Sequence, residues 1–406
     1  MSLMDRVLLR GRQVAAMVRE RGLARTLAAI WHRLRHGPAV FQPIDVFGHF
    51  DFVERAPIAA VGPAARPNSL LWFVPDFNVG SGGHTTIFRQ IWHLERAGYH
   101  CGIVIVRSSV HRTAEDAKHD IDTYFFRLQA PVYMGFEALP RVEFAVATSW
   151  DTAYAVRAFD GAAHKIYFVQ DFEPFFYPLG SEYVLAENTY RFGFFAITAG
   201  DWLADKVARE YGMAAHAISF GVDLEHYRRI PRREPDVRQV FFYARPPTPR
   251  RAFELGLLVL HEVWRRLPDT RFVLAGWDTS NYRVPFPHLA CGTVTVPELA
   301  DLYNQCDVAL VLSLTNLSLL PLELMACGCA VVSNRGPNVE WLLDDEIAVL
   351  TDATVPAMAS ALCELLTDDD RRRALTAHAQ EVACGRSWEA AARQFEEGLR
   401  KARGAA

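Results

Sequence analysis

Cysteine is scarce in this chain of 406 residues, seven in all, and the seven are scattered (Cys101, Cys291, Cys306, Cys327, Cys329, Cys363, Cys384). An odd, dispersed set excludes a disulfide scaffold, and Cys327 with Cys329 has no second pair at zinc spacing, so buried free thiols are expected. No signal peptide is legible, because arginine breaks the apolar stretches near the start every few residues. The longest weakly charged segment, Val308–Ser333, carries only Glu323. Pro321, Gly328 and the group Thr315, Asn316 and Ser318 cut it too finely for a membrane helix of roughly 20 residues, so it reads as strand, loop, helix, strand. A large excess of one charge is absent too: 43 Lys and Arg against 47 Asp and Glu leave −4, which excludes a polyanion-coating protein and sets aside nucleic acid as a partner. What is present is half hydrophobic and 12% aromatic, enough at roughly 150 residues per domain for two or three packed domains.

The charge is unevenly spread. Residues 1–37 hold eight arginines against Asp5 and Glu20, and Val14–Leu34 has apolar residues at helical spacing with arginine on the other faces. An amphipathic helix packed on the protein and one lying on an anionic membrane surface both fit. From Leu70 onward short apolar runs alternate with helical patterns. LLWFVPD (Leu70–Asp76), HCGIVIV (His100–Val106), VEFAVATS (Val142–Ser149), KIYFVQD (Lys165–Asp171) and FFAITAG (Phe194–Gly200) read as buried strands, which implies a mostly parallel sheet covered on both faces. The charged, proline-bearing stretch YRRIPRREPDVR (Tyr227–Arg238) reads as a linker. Beyond it the alternation restarts with QVFFYARP, a helix from Arg251, RFVLAGW, DVALVLSLT and AVVSNRG, and the tail is helical with Ser387 capping a last helix.

Ligands of such sheets sit beyond the carboxyl ends of the strands. There the glycine turn with Gly80, Gly82, Gly83 and His84 exposes backbone N–H groups at a helix start, although a tight turn needs glycine in any case and the dinucleotide spacing is absent. YARPPTPRR places Arg245, Arg250 and Arg251 directly after a strand, where planar guanidinium forks suit phosphate oxygens. The loop Thr315–Leu320 leads into Pro321 and Glu323. No hydroxyl stands at Leu320 to complete a capping box with Glu323, which leaves that carboxylate for sugar hydroxyls. QDFEPFFYP sets Gln170, Asp171 and Glu173 among aromatic rings, a combination suited to the hydroxyl edges and C–H faces of a sugar, or to capping the turn that follows.

Taken together, GSGGH, QDFEPFF, YARPPTPR and LPLELMACGCAVVSNRGPNVEWL resemble the GT-B glycosyltransferases of the family 4 type, most of all the bacterial WsaF-type rhamnosyltransferases, over about Leu70–Ala402. The resemblance implies an α/β fold of GT-B architecture, two Rossmann-like domains facing a central cleft, to which the periodicity adds an N-terminal amphipathic helical segment. Its expected divisions are 1–40 for that segment, 41–230 for the acceptor domain, 231–385 for the nucleotide-sugar domain, and 386–406 for a helix crossing back. It also implies that Arg245 and Arg250 bind the donor diphosphate and Glu323 the nucleotide ribose. Gly82, Gly83 and His84 face the phosphates and acceptor, with Thr315, Asn316 and Leu320 on the donor side. No metal and no cofactor are implied. One departure stands out: the family pattern has two glutamates with seven residues between them, and the first falls on Thr315, which leaves the donor sugar open.

The expectation is therefore transfer of a hexosyl group, L-rhamnose from dTDP-rhamnose, to a glycan or lipid-linked glycan of a bacterial surface. His84, Asp171 or Glu173 would orient or deprotonate the acceptor hydroxyl. The expected location is cytoplasmic, with peripheral membrane contact through residues 1–37. Two other classes fit the fold: a non-catalytic glycan-binding scaffold that has lost the carboxylate at Thr315, and a nucleotide-sugar epimerase.

Overall fold

The computed structural model describes residues 45–404. The basic segment 1–40, its amphipathic helix and the membrane contact expected of residues 1–37 lie outside them. The chain divides into two compact units, Met1–Asp51 and Phe52–Ala406. In the first, Asp45 caps a single helical turn, Val46–His49, by accepting from the Gly48 N–H at 2.9 Å.

The second unit holds two parallel sheets. In chain order the strands of the first are β1 (Val61–Val74), β2 (His100–Ile105), β3 (Val132–Met134), β4 (Pro140–Ala147), β5 (Ala162–Val169), β6 (Phe195–Ala199) and β7 (Ala215–Ile218). Those of the second are β8 (Gln239–Tyr243), β9 (Arg271–Ala275), β10 (Leu289–Gly292), β11 (Val308–Val311), β12 (Ala330–Asn334) and β13 (Val349–Thr351). Their spatial orders are β3-β2-β1-β4-β5-β6-β7 and β10-β9-β8-β11-β12-β13. Each order reverses once, between β1 and β4 and between β8 and β11. A crevice outside the carboxyl ends of the strands at such a reversal is where sheets of this kind take ligands.

Burial on both faces explains the nearly unbroken apolar runs. In β1, Leu70, Trp72 and Val74 face one layer while Leu71 and Phe73 face the other. The last helix, Trp388–Gly404, starts after the second lobe and packs on the first. Its Phe395 stacks on Trp72 with centroids 5.3 Å apart, and its Arg403 bonds Glu143 and Asn68. In the second lobe Val240 and Phe242 pack on one side of β8, and Phe241 joins a core that continues across the seam into the first lobe.

Val308–Ser333 is β11, a loop, the helix Leu320–Ala326 and most of β12, and no helix among the described residues is long and apolar enough to cross a membrane. The segment Tyr227–Arg238 runs between β7 and β8 and is fastened along its length: Arg232 pairs with Asp307, Arg233 with Asp301, and Asn304 accepts from the Ile230 N–H. One expectation needs correcting, since the thiols are not all interior. All seven are free, but Cys291 and Cys363 are half-buried and Cys384 is exposed.

Candidate active site

The strand ends of both lobes meet at one seam. On the first lobe the chain leaves β1 through Pro75 and turns at Gly80, whose φ of +85° favours a residue without Cβ. The helix Gly82–Arg96 begins two residues later. His84 lies in its first turn. Its Nε2 donates to the Pro75 carbonyl at 3.1 Å, so Nδ1 is the acceptor for the Ser81 hydroxyl at 2.8 Å. Burial lowers the imidazole pKa, partly offset by that carbonyl, and favours the neutral ring. The Gly83 carbonyl accepts from Gln170 Nε2 at 3.3 Å, which ties the glycine turn to the end of β5.

On the second lobe, the segment after β8 folds back on itself before any helix starts. Pro249–Arg251 forms one 3-10 turn, Ala252 takes a left-handed φ of 46°, and the helix runs Phe253–Arg266 instead of beginning at Arg251. That turn sends the three arginines in different directions. Arg251, read from the sequence as a third phosphate ligand, points inward: its Nη1 donates to Ser313 Oγ at 2.6 Å, and burial lowers its pKa to about 10. It braces the loop after β11. Arg250 crosses the seam, with its guanidinium 3.9 Å from the centre of the Phe176 ring and Nε 3.6 Å from Asp171 Oδ2. Arg245 stays on its own lobe beside Tyr243 and Trp277, about 6 Å from each ring centre.

The loop after β11 is built from buried polar contacts. Asn334 accepts from the Ser313 N–H, and Asn338 donates to the carbonyls of Ser313 and Thr315. So held, Thr315 and Asn316 reach the opposite lobe. The Thr315 hydroxyl donates to Asp171 Oδ2 at 2.7 Å, and the Asn316 N–H to Asp171 Oδ1 at 2.9 Å. Asn316 Nδ2 gives its two hydrogens to the carbonyls of Gln170 (3.0 Å) and Ala199 (2.8 Å). Burial raises the Asp171 pKa while the Asn316 N–H pulls it back.

Glu173 lies just behind. It accepts from the Trp150 N–H at 2.7 Å, at the start of the helix Trp150–Ala158, and burial pushes its pKa up to about 8. Leu320 opens the helix Leu320–Ala326, and Glu323 on that helix meets the hydroxyls of Tyr303 and Tyr227, with burial raising its pKa to about 7. Near it Arg89 of the first lobe pairs with Asp223 at 3.2 Å.

The seam thus gathers Gly83, Asp171, Arg250, Thr315 and Asn316, with Arg245 and Glu323 flanking on the second lobe and His84 and Glu173 behind the first lobe's strand ends. Ser313, Asn338, Tyr227, Tyr303 and Arg89 were not singled out from the sequence. Asn334 and Asn338 carried a signal, as polar side chains at the end of an apolar strand in SNRGPN. A separate cavity of about 770 Å³, lined among others by Arg55, Tyr154, Arg157, Arg191 and Phe192, shares no residue with the seam.

Residues 238–363 match the family model for the WsaF C-terminal domain and residues 138–199 that for the WsaF N-terminal domain. The O-antigen biosynthesis protein RfbC of Myxococcus xanthus is 35% identical over 366 residues, 85% of this chain. The match covers 28% of RfbC, so the chain spans less than a third of that relative. A D-inositol 3-phosphate glycosyltransferase of Corynebacterium urealyticum is 36% identical over 103 residues, 25% of this chain and 24% of its own. Among solved structures, HepE of Anabaena in complex with UDP and glucose superposes with a TM-score of 0.64 at 14% identity, over 82% of this chain and 99% of HepE. WaaG, a glycosyltransferase involved in lipopolysaccharide biosynthesis, does so with a TM-score of 0.58 at 12% identity, over 81% and 98%. At these identities the two structures show the fold.

Proposed function

Since the chain is a WsaF-type glycosyltransferase of GT-B architecture, we propose that it moves L-rhamnose from dTDP-rhamnose to a glycan or lipid-linked glycan acceptor of the bacterial cell surface. The observation that carries the donor site is Arg250. It rises from the strand end beside the sheet reversal, crosses the seam, and donates no hydrogen bond from its Nη atoms to any described residue. The choice of rhamnose rests on the resemblance to the WsaF-type rhamnosyltransferases and on Thr315, whose hydroxyl, engaged with Asp171, stands in place of the second carboxylate that would grip a more hydroxylated sugar. The choice of acceptor is supported by the likeness to RfbC.

In this reading the diphosphate lies along Arg245 and Arg250, and Glu323, backed by two tyrosines, takes the ribose hydroxyls. As the glycosidic bond breaks, the sugar approaches an oxocarbenium ion and negative charge collects on the departing phosphate. Guanidinium groups already in place stabilise that charge without reorganising, and contact between the lobes keeps water from the sugar. The acceptor enters over the glycine turn, with His84 held in a fixed tautomer to orient its hydroxyl. Glu173 supports the neighbouring helix start.

The test is release of nucleoside diphosphate from dTDP-rhamnose, UDP-glucose and GDP-mannose, with and without a lipid-linked glycan fraction. Acceptor-dependent release of dTDP is expected. A folded protein that turns over none of the three refutes the proposal, and conversion of free donor to an isomer assigns an epimerase instead.

A further inference from the structure

Asp171 is one member of the seam, and its surroundings give it a more definite task. A carboxylate offers about four acceptor positions, and three of them take hydrogen bonds from the protein. Oδ1 accepts from the N–H groups of Phe172 at 2.8 Å and Asn316 at 2.9 Å, while Oδ2 accepts from Thr315 Oγ1 at 2.7 Å and faces Arg250 Nε at 3.6 Å. The position left over faces that guanidinium edge, and the side chain is buried. Asp171 and Phe172 belong to the first lobe, and the other three partners to the second. Arg250 is thus gripped from behind by groups of the opposite lobe, Asp171 on its Nε edge and Phe176 on its flat face, with its two Nη groups directed elsewhere.

Resting on the donor site proposed above, we infer that Asp171 is a positioning residue: it locks the lobes together through Thr315 and Asn316 and, in the same contact, aims Arg250 at the donor diphosphate. Donor grip and lobe closure are then one event. An open molecule holds Arg250 on a flexible stem with no partner, and a closed one presents its fork in a fixed direction. A nearby negative charge by itself repels a diphosphate, so the benefit of Asp171 is geometric.

The test uses full-length protein and the isosteric variants Asp171→Asn and Thr315→Val. Spin labels on exposed positions of each lobe report interlobe distance without ligand, and calorimetry with dTDP reports donor-side affinity. Both variants are expected to lengthen or broaden the interlobe distance. Asp171→Asn is expected to weaken dTDP binding about tenfold or more, with a smaller effect from Thr315→Val and no further loss in the double variant, because the two act through one contact. At saturating donor, kcat of Asp171→Asn is expected to fall as Arg250 loses its aim, while its pH profile keeps the shape of wild type with both limbs present. Variants that close and bind dTDP like wild type overturn the inference and leave the donor site standing. A kcat that collapses at saturating donor with a limb of the pH profile lost also overturns it, by making Asp171 the acceptor's base. Wild-type protein that binds no dTDP removes the donor site, and the aiming of Arg250 with it.

Discussion

Replacing Arg250 with alanine separates the chemistry of the seam from its stability. The side chain is 26% exposed and its ion pair with Asp171 spans 3.6 Å, so losing that pair costs about 1 kcal/mol of folding stability. Asp171 keeps its three hydrogen bonds from Phe172, Asn316 and Thr315, and the carboxylate is not left bare. The melting temperature should fall by only a few degrees. The transition state loses much more. A charge-assisted fork on a phosphate that gains charge is worth roughly 2–4 kcal/mol, so kcat/KM for dTDP-rhamnose should fall about 30- to 1,000-fold. Arg250→Lys keeps the charge but not the planar fork and should recover part of the loss. Steady-state dTDP release together with a thermal melt by circular dichroism measures both quantities. A folded Arg250→Ala protein with kcat/KM within threefold of wild type refutes the reasoning.

Glu173 has its pKa pushed up to about 8 by burial, from 4.5. The folded state therefore binds the proton more tightly than the unfolded chain, and this group's contribution to stability falls as pH rises from 4.5 through 8, by on the order of 5 kcal/mol. Glu173→Gln should melt with a shallower decline than wild type between pH 5 and pH 9, and parallel curves would contradict the assignment. Gly200 has a φ of +92°, and a Cβ there would meet the Trp341 ring of the other lobe at 2.3 Å. Gly200→Ala should therefore lower the melting temperature and loosen the seam, seen as faster hydrogen exchange at Ala199 and Asn316. Asn316→Ala leaves the carbonyls of Gln170 and Ala199 without their donor and should cost about 2–3 kcal/mol in denaturant unfolding. Deleting residues 1–37 removes a surplus of six positive charges, and binding to anionic vesicles should drop while the salt dependence of the intact chain disappears.

The interior strands of both sheets were legible because each is buried on two faces and so reads as a run of Val, Ile, Leu and Phe. Four strands went unread, β3, β7, β10 and β13, and each lies at an edge of its sheet. An edge strand pairs on one side only and needs less apolar content. β13 is three residues long, and β10, LACG, is largely exposed. The site was legible as a set of loops. The glycine turn, the arginine pair and the QDFE and Thr315–Glu323 segments all border the seam. Their pairings were not legible, since the Thr315–Asp171 contact joins residues 144 positions apart and depends on how two lobes meet. Arg251 shows the same limit: adjacent arginines diverge once the chain takes a 3-10 turn and a left-handed Ala252, and no local pattern announces that turn.

The proposed donor site stands or falls with a nucleoside diphosphate held by Arg245 and Arg250 at this seam. Isothermal titration of dTDP into wild-type protein and into the Arg245→Ala, Arg250→Ala double variant reads that grip itself. One saturable site is expected in the wild type, and at least a hundredfold weaker binding in a variant whose melt remains cooperative. Equal affinity in the two proteins would contradict it.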